Sequence, residues 1–557
     1  DIRATYNGEI TASTVMLGWK KFKNKNLSKD ILISYGYGDG GGGVTRDMLK
    51  RRRALDSLPG VPNVKTARGD GFFAKLHHNL ETTEEYVPVW DGELYLEFHR
   101  GTYTAQARNK KWNRYLEFKL ADLEWLASLN YLQGGKYDAQ TLYECWETVL
   151  RNQFHDVIPG SAIHDAFVDS RKEYEKANAD ADKVKESVVC SLMKPVENTW
   201  SICNSGSFAR TDAVCIKTDK ACSFYDENGK QLPAQPVDGG YCISVKSEPL
   251  SIHTITAKEE TAEQGNKAVV DLQKRMVETT FYRISWDENG ALNSIFDKEN
   301  GREVLAENRL GNVFEVFEDK PLNYDNWNIE LYYSQKKDIV KACAPAKLLE
   351  NGEVRTVIHF SYTYHLTKIE QDMIVYNDNR RIDFKTWVDW QEADRLLKVA
   401  FPVDIRSTKA SYDIQFGYVE RPTHYNTSWD YARFEVVGHK WADLSENGYG
   451  VSLMNDCKYG YSIFENVMSL TLLKSTKYPD TTMDMCEHTF TYALYPHTGT
   501  LVEGGVIEES TALNLPLTVG CGSPKNSSKL FTIEGNGGSV DAIKKAEAED
   551  CLILRVH

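Results

Sequence analysis

The sequence predicts a multidomain α+β protein, and three observations support this prediction. Residues 1–105 mix short strand-like runs with a glycine-rich loop and a helix-like stretch, which is the local pattern of an α/β domain. Leucines recur every three or four positions in residues 106–195, which is typical of amphipathic helices. From residue 196 onward apolar residues alternate with polar ones and turn signals are frequent, which indicates β-strands and hairpins.

The composition is that of a globular protein and excludes several classes. Among 557 residues, 41% are hydrophobic and 26% are charged, which excludes a disordered chain, a collagen and a small disulfide scaffold. The net charge of −14 repels phosphate backbones, so we expect no nucleic-acid partner. No apolar run approaches the ~18 residues that a membrane helix needs. The eleven cysteines form no CxxC pair and are odd in number, which favours a reducing, cytoplasmic compartment.

The first hundred residues predict two short strands and a helix. Ile31–Tyr35 has the pattern of a buried strand and leads into the glycine loop Gly36–Gly43, and Arg46–Leu55 is helix-like. Glu93–Glu97 alternates and is predicted to be a second strand. This succession of strand, loop and helix is the basis for the α/β prediction.

The middle of the chain predicts three helices joined by short turns, as in an antiparallel bundle. The apolar stripe of the first helix is formed by Leu116, Leu120, Leu123 and Leu126. A second stripe runs through Leu142, Trp146, Leu150 and Phe154. A break at Pro159-Gly160 follows, and Ser161 is placed to cap the third helix.

Turn signals divide the second half of the sequence into hairpins. They are Glu227-Asn-Gly229, Asp238-Gly-Gly240, Glu288-Asn-Gly290, Glu299-Asn-Gly301, Glu350-Asn-Gly352 and Glu446-Asn-Gly448. Between them lie strand-like runs such as Arg355–His365 and Arg381–Asp389. A linker near Lys258–Asn266, rich in Glu, Thr and Gly, predicts a boundary between a small β-domain and a large one.

Asp39 is the acidic residue of the glycine loop. Because the glycines around it carry no Cβ, a ligand can approach the backbone closely. A carboxyl group on such a loop is well placed for general acid–base chemistry, whereas composition alone favours an ordinary turn aspartate. The loop lacks the GxxxxGK[ST] pattern, which disfavours a nucleotide site.

His155 is the candidate metal ligand. It lies at the end of a predicted helix just before the Pro-Gly break, where a side chain can point past the bundle into a cleft. Imidazole is the commonest metal ligand, and the adjacent carboxylate of Asp156 can orient the ring. A single histidine is more often a core or surface residue, so the residues alone leave both interpretations open.

Two further segments contain the residue types of sugar sites. One is the predicted strand Glu93–Glu97 with His99, Tyr103 and Thr104 after it, for which a solvated sheet face is the competing interpretation. The other contains Asp325 and Trp327, in a loop of the β-rich half. Such loops either connect two packed sheets or line a cleft. Tryptophan is more often a core residue than a ligand contact.

Taken together, segments along nearly the whole chain resemble family 38 glycoside hydrolases, the α-mannosidases, most closely their bacterial and cytosolic-type members. The matching segments are Tyr6–Thr11, Tyr35–Gly43, Val89–Glu97, His99–Thr104, Gln153–Ser161, Arg421–Asp430, His439–Glu446, Leu453–Gly460 and Phe490–His497. One such motif would be weak, whereas this ordered set is specific.

The resemblance implies four parts. These are the C-terminal part of an α/β catalytic domain (1–105), a three-helix bundle (106–195), a small β-sandwich (196–262) and a large β-sandwich domain (263–557). It implies a retaining exo-α-mannosidase that removes terminal α-linked mannose by a zinc-assisted double displacement. His155 would then be a zinc ligand and Asp39 the acid/base. The implied substrate contacts are Asp156, Tyr103, Thr104, Asp325 and Trp327.

The implied partners are mannose-containing oligosaccharides, and a homo-oligomer is left open. The sequence contains no His-x-Asp pair, from which the family takes two further zinc ligands, and the family's nucleophilic aspartate is absent as well. One histidine cannot hold zinc firmly, since such sites usually need three protein ligands. We therefore expect a chain that lacks the N-terminal part of the catalytic domain. The start at Asp1 and the apolar, strand-like end Cys551–His557 favour the same expectation of an internal fragment.

Two alternative functions stay open at this point. One is a non-catalytic, carbohydrate-binding fragment of such an enzyme. The other is a different glycosidase, or a glycoside phosphorylase, built on similar β-sandwich domains. The Gln153-Phe154-His155-Asp156 motif argues against the second.

Overall fold

The structure is a computed structural model, and it describes residues 8–38, 41–95, 98–260, 265–526 and 538–557. The chain divides into two compact units, residues 1–94 and residues 95–557. In this described part, each helix is too short or too polar to span a bilayer.

The first unit contains helices α1 (Ala12–Lys21), α2 (Arg46–Leu55) and α3 (Gly69–Thr82). The predicted helix Arg46–Leu55 is confirmed, and the Thr45 side chain caps it by accepting a hydrogen bond from the Met48 amide at 3.3 Å. A small apolar core of the unit consists of Ile10, Val15, Met48 and Leu55.

Of the two strands predicted in this region, Ile31–Tyr35 is not found as a strand in the described part of the chain, and Glu93–Glu97 lies partly outside it. Tyr35 forms a single parallel bridge with Gly8, and residues 31–34 are otherwise unpaired within the described part of the chain. Residues 93–95 are irregular, and residues 96–97 lie outside the described residues. Alternation predicts which face a strand would bury, but a strand also needs a neighbour to pair with.

The predicted three-helix bundle is formed by α4 (Ala107–Leu132), α5 (Ala139–Asn152) and α6 (His164–Leu192). The four leucines of the α4 stripe are fully buried, as expected: Leu116, Leu120, Leu123 and Leu126. The predicted cap of α6 is wrong, because the helix begins at His164 and the Ser161 hydroxyl instead donates to the Asp156 carbonyl at 3.4 Å.

The stripe predicted for α5 is only partly right. Its buried face is formed by Leu142, Cys145, Val149 and Asn152. Leu150 is 61% exposed and Phe154 is 55% exposed. A spacing of four residues drifts by about 40° per step around a helix of 3.6 residues per turn. A stripe that begins on the buried face at Leu142 and continues every four residues therefore leaves that face by Leu150 and Phe154.

The second unit continues with a small β-domain. Its first strands are β1 (Met193–Lys194), β2 (Thr199–Asn204), β3 (Arg210–Lys217), β4 (Ser223–Tyr225), β5 (Gln231–Leu232), β6 (Ala234–Val237), β7 (Gly240–Ser247) and β8 (Ser251–Lys258). Residues 261–264, within the predicted linker, lie outside the described residues.

The large β-domain begins with short strands and a long meander. Its strands are β9 (Val269–Asp271), β10 (Met276–Glu278), β11 (Tyr282–Trp286), β12 (Leu292–Asp297), β13 (Arg302–Glu303), β14 (Val313–Glu318), β15 (Lys337–Ile339), β16 (Lys341–Ala342), β17 (Lys347–Asn351), β18 (Arg355–Tyr364), β19 (Thr367–Tyr376), β20 (Ile382–Asp389), β21 (Arg395–Pro402), β22 (Lys409–Ile414) and β23 (Gly417–Pro422).

The rest of the chain adds two helices and the final strands. They are α7 (Ser428–Ala432), β24 (Val436–Val437), β25 (Trp441–Glu446), β26 (Tyr449–Asn455), β27 (Gly460–Phe464), β28 (Val467–Ser475), β29 (Glu487–Thr498), α8 (Val506–Asn514), β30 (Thr518–Cys521), β31 (Ser523–Pro524), β32 (Val540–Lys545) and β33 (Leu552–Val556). Each of the six turn signals of the sequence lies at the junction of two consecutive strands, as predicted, although some of their residues belong to the strand ends.

The strands form two layered regions of antiparallel sheet. In the large domain the long sheet β16-β18-β19-β20-β29-β26-β25-β22-β23 packs on β15-β14-β21-β28-β27-β24, and their apolar side chains form one continuous core. The small domain contains the sheets β30-β2-β8-β4-β5 and β3-β7-β6. Its outer strand β30 comes from the far end of the sequence, which the boundary predicted at residue 262 does not anticipate.

Candidate active site

The turn of residues 153–160 follows the end of α5 and contains His155. The Gln153 side-chain amide donates hydrogen bonds to Asn113 Oδ1 at 3.0 Å and to Glu117 Oε1 at 2.8 Å. Both acceptors are on α4, so the first residue of the turn is anchored to the neighbouring helix.

His155 and Asp156 are exposed polar side chains of this turn. The His155 side chain is 79% exposed, and its Nε2 lies 3.6 Å from Asp156 Oδ2. Its ring packs on Phe154 with 4.2 Å between the ring centroids. The imidazole is therefore oriented by its two chain neighbours, and both polar groups are available to a ligand.

Buried groups on α4 hold the turn from beneath. The Lys110 ammonium donates to the Ile158 carbonyl at 2.8 Å and to the Ala105 carbonyl at 2.5 Å. Burial lowers the pKa of Lys110 to about 7, although Asp484 nearby acts in the opposite direction. Carbonyl oxygens that would otherwise be buried without a partner are satisfied by this side chain.

The end of the turn is joined to the loop that contains Asp325 and Trp327. The Asn326 side-chain amide donates to the Gly160 carbonyl. Gly160 has φ = +83°, and a Cβ at this position would lie 2.7 Å from the Ala105 carbonyl oxygen. Both the backbone conformation and the close approach require glycine here.

The 3₁₀ turn Arg100–Tyr103 packs against the same loop. The Gly101 amide donates to the Trp327 carbonyl at 2.8 Å, and the His99 amide donates to Asn328 Oδ1 at 3.0 Å. A Cβ on Gly101 would lie 2.5 Å from the Asn326 carbonyl oxygen. The three segments that contain the predicted side chains at 103, 155–156 and 325–327 are therefore tied together by backbone and amide hydrogen bonds.

A buried ion pair supports this assembly. The Lys474 ammonium on β28 pairs with Asp319 Oδ2 and donates to the Asn328 carbonyl at 3.0 Å. The side chains of Lys474 and Asp319 are 0% and 1% exposed. Burial raises the pKa of Asp319, and Lys474 opposes that shift. Sequence reasoning missed Lys474, Asp319 and Lys110, because a lone buried charge leaves no periodic signal.

Of the other predicted site residues, one is not described and one is buried. Asp39 lies outside the described residues. Thr104 is 3% exposed, and its hydroxyl oxygen would lie 2.8 Å from a Cβ on Gly460. Thr104 thus packs inside the protein behind the 3₁₀ turn, whereas Tyr103 is half-buried at the end of that turn.

The described residues do not by themselves complete a metal site. Among them, no group of three or more His, Cys, Asp and Glu side chains is placed to bind a metal ion. His155 and Asp156 form only a pair, and zinc sites usually have at least three protein ligands. His155 could supply one zinc ligand and Asp156 could orient its ring, so a zinc site here would need further protein ligands.

Comparison with known protein families shows which family the chain belongs to. Three domain models of one family match in chain order: the N-terminal domain of glycosyl hydrolases family 38 over residues 2–93, the α-mannosidase middle domain over 97–192, and the family 38 C-terminal domain over 277–482. The chain belongs to glycosyl hydrolase family 38. The predicted family is therefore confirmed, and the middle-domain match contains the turn with His155.

Relatives of this family 38 chain support the assignment. It is 33% identical to "Alpha-mannosidase G" of Dictyostelium discoideum, over 99% of this chain and 55% of that protein. It is also 33% identical to "Alpha-mannosidase 2C1" of Homo sapiens, over 96% of this chain and 51% of that protein. The chain thus spans about half the length of these relatives.

The fold agrees with a solved structure. An α-mannosidase from Enterococcus faecalis V583 superposes with a TM-score of 0.74 at 16% identity, over 92% of this chain and 69% of that one. One expectation needs correction. Because the family's N-terminal domain model matches residues 2–93, this family 38 chain does contain sequence of that domain, and describing it as lacking the N-terminal part was wrong.

Proposed function

We propose that this family 38 chain functions in a retaining exo-α-mannosidase, which removes terminal α-linked mannose from oligosaccharides. The observation that carries the proposal is the anchored turn 153–160. It presents His155 and Asp156 to solvent, next to the segments that contain Tyr103 and Trp327. Carboxylate, imidazole and aromatic groups on adjoining rigid segments suit a small polyhydroxylated ligand.

Each residue has a proposed role. His155 contributes one ligand to a zinc ion. Asp156, Tyr103, Asp325 and Trp327 border the sugar, and Thr104 packs behind them. In a retaining glycosidase one carboxyl group protonates the leaving oxygen and later takes a proton from water, while a carboxylate attacks the anomeric carbon. We assign the acid/base role to Asp39.

The decisive experiment measures hydrolysis of an aryl α-mannoside together with zinc content. The native chain, His155→Ala and His77→Ala are compared, because the side chain of His77 on α3 is also 79% exposed. We expect chelator-sensitive release by the native chain and His77→Ala. His155→Ala should lose zinc and release together. Full zinc occupancy in His155→Ala would contradict the ligand assignment.

The same material distinguishes the alternative functions. Mannose binding by calorimetry, without any release at added zinc, would favour the non-catalytic carbohydrate-binding alternative. Release that depends on added phosphate would indicate a phosphorylase. If hydrolysis occurs, proton NMR of the first product should show α-mannose, because two displacements retain the configuration. Initial formation of β-mannose would refute the retaining mechanism.

A cytoplasmic location is part of the proposal. All eleven cysteines are free in the structure, from buried Cys145 to exposed Cys551, which suits a reducing compartment. A homo-oligomer stays a prediction, which sedimentation of the purified chain would test.

A further inference from the structure

Cys215 and Cys242 form a cross-strand pair in the small β-domain. They are direct partners in the antiparallel register of β3 and β7, and Cys242 is in turn the partner of Gln235 on β6. Residues directly opposite each other in a sheet point to the same face. The three side chains therefore form one row across the sheet.

The register of this pair is compatible with a disulfide. Directly opposed residues in antiparallel strands have Cα atoms about 4.5–5.5 Å apart, within the ~4.4–6.8 Å that a disulfide spans. The register alone therefore places the two cysteines within the Cα separation that a disulfide can span.

The surroundings divide the pair into an attacking and a resolving thiol. Cys215 is exposed and Cys242 is fully buried. The neighbouring Cys242 thiol and the Arg355 guanidinium lower the pKa of Cys215, while burial opposes the shift. The Cys215 thiol and burial raise the pKa of Cys242. An exposed thiolate beside a protonated thiol is the arrangement of a reactive cysteine.

Neighbouring contacts keep the pair in place. Gln235 Oε1 accepts hydrogen bonds from the Val354 amide at 3.0 Å and the Arg355 amide at 2.8 Å. Arg355 is paired with Glu350, with Nε and Nη2 at 2.8 Å and 2.9 Å from its two oxygens. The β17–β18 hairpin of the large domain is thus fixed against this face of the sheet, which positions the guanidinium near the thiols.

We propose that Cys215 and Cys242 are a peroxide-reactive thiol pair that closes reversibly to a disulfide. The Cys215 thiolate attacks one oxygen of hydrogen peroxide, the O–O bond breaks, and hydroxide leaves and takes up a proton to give water. The resulting sulfenic acid is attacked by the Cys242 sulfur, which loses its proton as the S–S bond forms and a second water leaves. Two thiols are oxidised and one peroxide is reduced. This inference is independent of the mannosidase proposal.

The test uses the full chain with hydrogen peroxide as the probe. After peroxide treatment, free thiols are blocked and the protein is digested and analysed by mass spectrometry. We expect a peptide in which residues 215 and 242 are linked, which disappears after dithiothreitol. In Cys242→Ser the oxidation should stop at a sulfenic acid on Cys215 that dimedone labels. Absence of both the linked peptide and the dimedone adduct, at peroxide levels that oxidise other exposed cysteines, would overturn the proposal.

A matched control separates this site from ordinary surface thiols. Cys343 is also exposed, and its sulfur donates to the Ser361 carbonyl at 3.3 Å. Cys343→Ser should leave the 215–242 link unchanged. The pH midpoint of iodoacetamide labelling at Cys215 should lie below the ~8.5 of an ordinary cysteine. A midpoint at or above that value would refute the assignment of Cys215 as the attacking thiol.

Discussion

The buried pair of Lys474 and Asp319 leads to a quantitative prediction about the segments around the candidate site. Both side chains are essentially without solvent contact. Replacing Lys474 by methionine preserves much of its length but leaves the Asp319 carboxylate buried without its cation. Removal of one partner of a buried ion pair costs about 3–5 kcal/mol. We therefore expect Lys474→Met to lower the free energy of unfolding by about that amount at pH 7.

The second variant isolates the electrostatic cause. In Lys474→Met/Asp319→Asn no buried charge is left, and replacing both ions by neutral groups is often close to neutral in energy. The double variant should recover most of the stability lost in the single one. The deficit of Lys474→Met should also shrink on acidification, because Asp319 becomes neutral when its carboxylate is protonated.

Thermal unfolding of the native chain, both single variants and the double variant provides the assay. A double-mutant cycle gives the coupling energy between the two side chains. Native-state hydrogen exchange at the Gly101 amide reports locally, because its acceptor Trp327 lies in the loop that Lys474 supports. Equal destabilisation of the single and double variants at all pH values would refute the reasoning, since loss of packing alone would then explain the effect.

Three further predictions follow from residues near the site and in the helical bundle. Gly101→Ala should lower the free energy of unfolding by about 1–3 kcal/mol through overpacking, because a Cβ would lie 2.5 Å from the Asn326 carbonyl oxygen. A melting temperature equal to that of the native chain would contradict this. Because the pKa of Lys110 is lowered to about 7 in the folded protein, stability should rise with pH between about 7 and its ordinary value of ~10.4. That slope should be smaller in Lys110→Met, and an unchanged slope would exclude Lys110 as its source. Val149→Ala should cost about 2 kcal/mol of unfolding free energy and Leu150→Ala less than about 0.5 kcal/mol, since of these two residues only Val149 is buried. Urea unfolding that gives the reverse order would contradict the observed buried face of α5.

Much of the fold could be predicted because local signals agreed with the tertiary structure. The helix Arg46–Leu55 follows a capping threonine, and its predicted bounds are those of the structure. Asn-Gly turns such as Glu288-Asn-Gly290 have a glycine with positive φ where adjacent strands reverse direction. In these elements the local residues themselves favour the backbone conformation that the fold requires.

Other features depend on partners that are distant in sequence. The stripe predicted for α5 included Leu150, which is exposed. The sequence of α5 alone does not show which of its faces packs against α4 and α6. The candidate site shows the same limit. His155 and Asp156 are recognisable as polar residues after a helix, but the groups that hold their turn, Lys110 and Asn326, are distant along the chain from the carbonyls they satisfy.

The origin of strand β30 has a consequence for the order in which the protein matures during synthesis. Trp200 on β2 pairs with Cys521 on β30, and the Ser201 hydroxyl donates to the Gly522 carbonyl at 2.8 Å. At ~5–20 residues per second, the ribosome needs roughly tens of seconds to make the chain between these strands. During that interval the edge of β2 is unpaired, and an open strand edge can pair with other chains. Completion of the small β-domain must therefore wait until the whole large β-domain has been translated.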